Sequence, residues 1–162
     1  MPPARERPEP DKESLYREVR RKLSEVLGRC PDGQSALASA AALLKGAQPH
    51  FCWVGFYRRA VDGSLRVGPY QGPTAGPVLP AGGGVCGAAV AGRETVIVPD
   101  VGRFQGHIAC DPRSRSEIVV PLVVGGEVVG VLDVDSDRPD AFDEADRRHL
   151  EAIAAQLSAR LR

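Results

Sequence analysis

The feature that most constrains the fold is a pair of β-rich runs separated by two consecutive glycines. Residues 117–124 and 128–135 are dominated by valine, isoleucine and leucine, and Gly125-Gly126 lies between them. Glycine accepts the positive φ angles that the tight turn of an antiparallel hairpin requires. The chain is therefore predicted to build an antiparallel central sheet. Further β-rich runs that can join it are residues 51–59, 65–67 and 95–98.

Helices are predicted on both sides of the strand region. Apolar residues recur at helical spacing in residues 11–27, 32–45 and 143–161, and a shorter helix is predicted over residues 85–91. Helices followed by strands and then by a helix indicate an α+β fold. We expect the helices to pack on one face of the sheet.

Length and charge restrict the classes of protein that need to be considered. The 162 residues suit one domain, predicted over 11–162, after a proline-rich leader over 1–10 that is expected to be disordered. No apolar run reaches the ~20 residues of a membrane span, and the leader has no signal-peptide core. The formal net charge of zero gives no reason to expect nucleic acid or membrane binding. We predict a cytoplasmic protein with reduced cysteines.

Cys110 is the first candidate for chemistry, because it stands in a long polar loop. His107, Arg113 and Arg115 are its neighbours in sequence. Basic neighbours stabilise a thiolate, which is the nucleophilic form of cysteine. The alternative is that Cys110 is a small buried apolar residue, as most cysteines are.

Cys86 is the second candidate thiol, and its sequence context leaves two interpretations open. It follows three glycines, Gly82 to Gly84, at the predicted start of a helix. The helix dipole would lower its pKa there. Alternatively, the glycines form a tight turn and Cys86 packs beneath it. A zinc site built from Cys86, His107 and Cys110 lacks a fourth ligand and standard spacing, so we predict no metal and no cofactor.

Three carboxylates are candidates for substrate binding. Asp133 and Asp135 are two residues apart on a predicted strand and share a face, and Glu117 begins the adjoining strand. Like charges and partial burial raise the pKa of one such group. The pair suits binding an amino group while supplying a proton. The alternative is that these acids end their strands in solvent.

Trp53 and Tyr57 are the candidate aromatic residues of a small pocket. They are four residues apart on a predicted strand and therefore share a face. The tyrosine would also offer a hydroxyl group. Ordinary core packing explains an aromatic pair equally well.

These candidates lie in segments that resemble a known family, the free methionine-(R)-sulfoxide reductases, which are built on a single GAF domain. The resemblance covers roughly residues 13–161. The matching segments are WVGFY (53–57), GPYQG (68–72), GVCG (84–87), GHIACD (106–111), SRSEIVVPL (114–122) and GVLDVDS (130–136).

The resemblance implies a reaction and a role for each candidate. Cys110 would attack the sulfur of free L-methionine-(R)-sulfoxide and become a sulfenic acid, which a second thiol and then thioredoxin or a small thiol would reduce. Glu117, Asp133 and Asp135 would hold the amino group and the sulfoxide oxygen, and Trp53 and Tyr57 would border the methyl end. The resemblance also implies a homodimer.

One position departs from the family pattern. Family members usually carry a recycling cysteine at the end of a Gln-Gly-x-x-Ala-Cys segment, and here Gly76 takes its place. Cys86 could be the resolving thiol, an external thiol could reduce the sulfenic acid directly, or turnover could be poor. The alternative function is a GAF sensor that binds a small ligand or senses oxidants through Cys110 without catalysis.

Overall fold

The computed structural model describes residues 10–162 and shows an α+β fold around a six-stranded antiparallel sheet of order β3-β2-β1-β6-β5-β4. The strands are β1 (Phe51–Arg59), β2 (Leu65–Gln71), β3 (Val78–Leu79), β4 (Val96–Val98), β5 (Ser116–Val124) and β6 (Glu127–Ser136). The helices are α1 (Lys12–Leu27), α2 (Gly33–Ala47), α3 (Gly84–Gly92) and α4 (Glu144–Ser158), with a 3₁₀ turn at Val101–Arg103.

The predicted hairpin is the centre of this sheet. Gly125 and Gly126 turn the chain between β5 and β6 with φ angles of 58° and 83°. A side chain with a Cβ atom rarely adopts such angles, so the two glycines allow the tight connection. β6 then lies between β1 and β5, and the predicted antiparallel sheet is confirmed.

Aspartates define the starts of the three long helices. Asp11 accepts a hydrogen bond from the backbone N–H of Ser14 at the start of α1, and Asp32 accepts one from Ser35 at the start of α2. Asp143 accepts from two backbone N–H groups at the start of α4. These caps satisfy donors that have no partner within the helix.

The sheet is covered on both faces, which corrects one part of the sequence prediction. Helices α1, α2 and α4 pack on one face against residues such as Phe56, Ile118 and Leu132. Helix α3 packs on the opposite face against Val119 and Val131. The α+β class and the antiparallel sheet are right, and the placement of all helices on one face is wrong for α3. Its short run of small apolar residues carries no amphipathic stripe that could have shown which surface it covers.

Strand β2 extends beyond residues 65–67, the run that the sequence predicted to be a strand. It continues to Gln71 although Pro69 has no N–H group to donate. The pairing of β1 with β2 shifts register between Gly55 and Tyr57, opposite Pro69. A bulge tolerates proline because the ladder hydrogen bond is already interrupted there.

The prediction for the leader falls almost entirely outside the described residues, and two further predictions are not tested by the structure. The predicted leader over residues 1–10 lies outside them, apart from Pro10, and the single-domain assignment of 11–162 stays a prediction. Within residues 10–162, none of the helices has the length and apolar character required to span a membrane. The cytoplasmic location likewise stays a prediction.

Gly55 offers a test of how tightly the sheet is packed beside the aromatic residues. A Cβ atom at this position would lie 2.3 Å from Cβ of Tyr70 and 2.6 Å from the Trp53 ring. We expect Gly55→Ala to lower the free energy of unfolding by about 1–3 kcal/mol through overpacking. Gly46→Ala is the matched control, because nothing lies within 4 Å of its Cβ position in α2. We expect it to stabilise the protein by about 0.5–1 kcal/mol. Urea denaturation measures both values, and equal effects would contradict the packing argument.

Candidate active site

Neighbouring strands bring the three predicted carboxylates together on the α3 face of the sheet. Glu117 pairs with Asp135 across β5 and β6, and Val119 pairs with Asp133. All three carboxylate side chains are buried, with residue exposures of 2% for Glu117 and 0% for both aspartates. The alternative that these acids end their strands in solvent is therefore excluded.

Cys110 reaches this cluster from the loop between the 3₁₀ turn and β5. Its Sγ donates to Asp133 Oδ2 at 3.4 Å and lies 3.5 Å from the Tyr57 hydroxyl oxygen. Sγ also lies within 4.8 Å of carboxylate oxygens of Asp133 and Asp135. The predicted nucleophile and the predicted carboxylates thus form one cluster.

Cys86 enters the same cluster from the first turn of α3. Its Sγ lies within 4.8 Å of carboxylate oxygens of Glu117 and Asp133. Asp133 is therefore close to both thiols. Burial and the neighbouring carboxylates raise the pKa of Cys86 well above the usual value, which is opposite in direction to the expected effect of the helix dipole. The interpretation that Cys86 packs beneath the glycine turn is the better description of its burial.

The two predicted aromatic residues hold a loop beside Cys110. The rings of Trp53 and Tyr57 stack with centroids 5.9 Å apart. Trp53 Nε1 donates to the carbonyl oxygen of Pro73 at 3.1 Å, and the Tyr57 hydroxyl donates to that of Gly76 at 3.2 Å. The segment that contains Gly76 is thereby attached to the aromatic wall of the cluster.

The electrostatic environment of Cys110 differs from the sequence prediction. Burial, followed by Asp133 and Asp135, raises the pKa of the Cys110 thiol far above its usual range. Two of the three expected basic neighbours have other partners, since Arg113 binds Asp111 at 2.7 Å and His107 binds Glu117 at 3.0 Å. The prediction that cations lower the pKa of this thiol is therefore wrong for the unliganded protein.

The carboxylates resist ionisation for related reasons. Burial raises the pKa of Glu117, Asp133 and Asp135 well above the usual range, and charges within the cluster raise each of them further. The sequence predicted a raised pKa for one member of the aspartate pair, and the pKa is raised for both members. Burial and mutual repulsion therefore favour the protonated carboxyl groups until a cation compensates the charge of the cluster.

Two contacts of the cluster were not predicted. His107 Nε2 lies 3.0 Å from Glu117 Oε2, and the Ser114 hydroxyl donates to Asp135 Oδ1 at 3.1 Å. Both residues lie in the segments around Cys110 that the sequence had singled out. Nothing in their spacing indicates which carboxylate each one would meet, because those contacts join the loop to the strands across the fold.

Two carboxylate oxygens in the cluster are left without a hydrogen-bond partner in the described structure. They are Asp133 Oδ1 and Asp135 Oδ2, both buried. An unpaired buried oxygen is costly, so its persistence points to a ligand that donates to it or coordinates it. A positively charged ligand fits this pair: an ammonium group would donate hydrogen bonds to the two oxygens, and a metal ion would be coordinated by them.

The comparisons with known proteins first define the class. The family model described as GAF domain matches residues 33–162. The chain is therefore a GAF domain protein, here with a buried thiol and carboxylate site.

The relatives then specify the family. The chain is 40% identical over 147 residues to the free methionine-R-sulfoxide reductase of Escherichia coli, covering 91% of this chain and 88% of the relative. A solved structure of the Neisseria meningitidis enzyme in complex with its substrate superposes with a TM-score of 0.89 and 45% identity, covering 93% and 90% of the two chains. The reduced Staphylococcus aureus protein superposes with a TM-score of 0.85 and 39% identity, over 91% and 95%. The chain belongs to the free methionine-R-sulfoxide reductases, a family of enzymes, and the family prediction is confirmed.

Alkylation of Cys110 tests the effect of the carboxylates on its thiol. We expect Asp133→Asn to accelerate the reaction of Cys110 with iodoacetamide at pH 8, because removing the charge lowers the thiol pKa and increases the thiolate fraction. A decrease of one pKa unit corresponds to about tenfold in rate at this pH. Peptide mass spectrometry measures the rate at Cys110 separately from the other cysteines. Asp137→Asn is the control, because Asp137 is an exposed acid that directly follows β6. An unchanged or slower rate in Asp133→Asn would contradict the electrostatic account.

Proposed function

We propose that this protein reduces free L-methionine-(R)-sulfoxide to L-methionine, with Cys110 as the nucleophile. The observation that carries the proposal is the placement of Cys110 Sγ within 4.8 Å of oxygens of Asp133 and Asp135. Each of these aspartates also has one unpartnered oxygen. A reactive sulfur and a receptor for a cation therefore lie side by side, which matches a small substrate that carries both a sulfoxide and an ammonium group.

The aspartates account for a preference for the free amino acid. An α-ammonium group offers three donors and a positive charge to Asp133 and Asp135. A methionine sulfoxide within a polypeptide has an uncharged amide with one N–H in the same position. Because the cluster is buried and acidic, the free amino acid is the substrate whose charge compensates it.

The same ammonium group would activate the thiol. Without a bound cation, burial and then the two aspartates hold the pKa of Cys110 high. A cation bound between them lowers it again, so that the thiolate forms where the substrate is. The site would therefore keep its nucleophile protonated, and protected from oxidants, until substrate arrives.

The reaction transfers the sulfoxide oxygen to Cys110. The Cys110 sulfur attacks the substrate sulfur, and Glu117, whose pKa is raised by burial, donates a proton to the sulfoxide oxygen. The bond between the two sulfur atoms is transient: the substrate sulfur–oxygen bond breaks, the protonated oxygen moves to the Cys110 sulfur, and methionine leaves with two electrons gained at its sulfur. Cys110 is thereby oxidised to a sulfenic acid. His107, in contact with Glu117, orients that carboxyl group. Trp53 and Tyr57 border the methyl end of the substrate.

Cys86 is the proposed resolving thiol. Gly76, which stands where relatives of this family usually have a recycling cysteine, has no thiol to contribute. Cys86 Sγ shares Asp133 as a neighbour with Cys110. Its thiol would attack the sulfenic acid, forming a disulfide and releasing water. Thioredoxin or a small dithiol would then reduce the disulfide and restore both thiols.

The remaining expectations about partners belong to the same proposal. The family resemblance implies that the protein forms a homodimer. The protein would work in the cytoplasm, where such reductants are present.

A GAF sensor without catalysis is the second candidate function. A solved structure described as a putative GAF sensor from Burkholderia vietnamiensis is 38% identical to this chain. Recovery of unchanged ligand after binding would favour that candidate.

Turnover of separated epimers tests the reaction. With excess dithiothreitol, we expect consumption of free methionine-(R)-sulfoxide, release of methionine and no reaction of the S epimer, because the chiral sulfur must face Cys110 with its oxygen towards Glu117. Chromatography of the products measures both. Cys110→Ser should lower turnover by at least about a thousandfold, since the nucleophile is lost. Cys30→Ser is the matched control at a partly exposed thiol outside the cluster. No turnover by the unmodified protein would refute the proposal.

A single-turnover experiment tests the role of Cys86. We expect Cys86→Ser to release one equivalent of methionine at a rate close to that of the unmodified protein and then to stop with thioredoxin as reductant. Mass spectrometry after one equivalent of substrate should find a Cys86–Cys110 disulfide in the unmodified protein and a sulfenic acid at Cys110 in the variant. Undiminished cycling with thioredoxin in Cys86→Ser would rule out this residue as the resolving thiol.

A further inference from the structure

The active-site cluster contains more metal-ligating groups than a substrate ammonium requires. Three overlapping sets have their ligand atoms within 4.8 Å of one another. These sets are Cys110 with Asp133 and Asp135, Cys86 with Glu117 and Asp133, and His107 with Glu117 and Asp135. The carboxylates and thiols among them are all buried, which is unusual for charged groups that have no permanent counterion.

The set formed by Cys110, Asp133 and Asp135 differs from the other two in one respect. Each of its two aspartates has one oxygen without a hydrogen-bond partner, Asp133 Oδ1 and Asp135 Oδ2. The other oxygen of each aspartate accepts a hydrogen bond, Asp133 Oδ2 from Cys110 and Asp135 Oδ1 from Ser114. The Ser114 bond is of the kind that orients carboxylate ligands in metal sites, whereas the Cys110 bond is lost when the thiol gives up its proton to a metal.

Two of the nearby basic side chains are bound to other acids. His107 is paired with Glu117, and Arg113 is paired with Asp111. A divalent cation at this set would meet a thiol sulfur and two aspartates that each have an unpartnered oxygen. Oxygen-only cations such as Mg²⁺ and Ca²⁺ do not use sulfur, whereas Zn²⁺ accepts thiolate and carboxylate together.

We propose that the reduced protein binds one Zn²⁺ through Cys110 Sγ and one carboxylate oxygen each from Asp133 and Asp135, with water at the fourth position. Bonds of about 2.0–2.3 Å to three ligands bring the ligand atoms within about 4 Å of one another, so the set needs only a small contraction. The metal forms a sulfur–zinc bond and two oxygen–zinc bonds, the thiol proton and any proton held by the two carboxyl groups pass to solvent, and no electrons are transferred. This ligand set differs from the zinc site considered in the sequence analysis, because it includes two carboxylates and that site had none.

Bound zinc would act as an inhibitor that competes with the substrate. It occupies the nucleophilic sulfur and both aspartates proposed to receive the ammonium group. Oxidation of Cys110 to a sulfenic acid or disulfide removes the thiolate ligand, so only the reduced protein would hold the metal. This consequence rests on the proposed function, whereas the metal site itself rests on the geometry of the three ligands.

Titration with metal ions tests the site without reference to activity. We expect calorimetry of the reduced protein with zinc chloride to show one ion bound per chain, and Cd²⁺ to give the charge-transfer absorption of a cadmium–thiolate bond. Cys110→Ser and Asp135→Asn should each weaken zinc binding by at least about tenfold, as the loss of metal-site groups commonly does. Cys110→Ser should also abolish the cadmium band.

Two control variants separate this ligand set from the alternatives. Cys30→Ser removes a thiol outside the cluster, and Cys86→Ser removes the thiol of the neighbouring set. We expect both to bind zinc as the unmodified protein does. The thermal midpoint of each variant, measured without metal, shows whether the variant is folded. If Cys110→Ser does not fold, Asp135→Asn provides the test of the ligand set. Absence of a cadmium–thiolate band, or zinc binding that is unchanged in the folded variants of Cys110 and Asp135, would overturn the proposal.

Activity measurements distinguish a failure of this inference from a failure of the proposed function. Zinc that raises the apparent KM for methionine-(R)-sulfoxide with little change in kcat supports the competition, provided that the assay uses a reductant that does not bind the metal. Turnover without metal binding refutes the zinc site alone. Metal binding without turnover supports the zinc site and refutes the reductase.

Discussion

The burial of three carboxylates on one face of the β5–β6 pair is the constraint on which the rest of the site depends. Glu117 lies opposite Asp135 across this pair. Asp133 precedes Asp135 by two residues on β6 and therefore lies on the same face. Burying acids whose charge is not compensated costs free energy. The loop that precedes β5 supplies hydrogen-bond donors to these acids. Helix α3 and the loop of Cys110 then close over them. The sheet therefore supplies the acids, and the less regular segments supply the thiols.

This arrangement makes the charge state of the cluster depend on what is bound there. Without a cation, burial and mutual repulsion favour protonated acids and a protonated Cys110. An ammonium group or a metal ion reverses that preference, because it compensates the charges that burial penalises. The proposed reduction and the proposed zinc site are two consequences of one electrostatic property. They differ in whether the cation presents a sulfoxide to Cys110 or binds the sulfur itself.

Local sequence patterns predicted much of the fold. The hairpin glycines at 125 and 126, the aspartate that caps α4 and the apolar periodicity of the long helices are interactions between residues near one another in the chain. The segments that resemble the reductase family also named the residues that the structure gathers in the cluster. The position of α3 was missed, because its small apolar side chains show no periodic stripe. The end of β2 was missed because a bulge opposite Pro69 depends on the partner strand.

The sequence by itself determined which residue types are available and which face of a strand each one occupies, since alternation along a strand is a local property. That is enough to place Asp133 and Asp135 on the same face. Only the tertiary structure decided how Cys110 is charged. In sequence its neighbours are basic, but in space Arg113 turns to Asp111, His107 turns to Glu117, and the thiol faces Asp133. Electrostatic energy depends on distance through space and on burial, and neither quantity is set by separation along the chain.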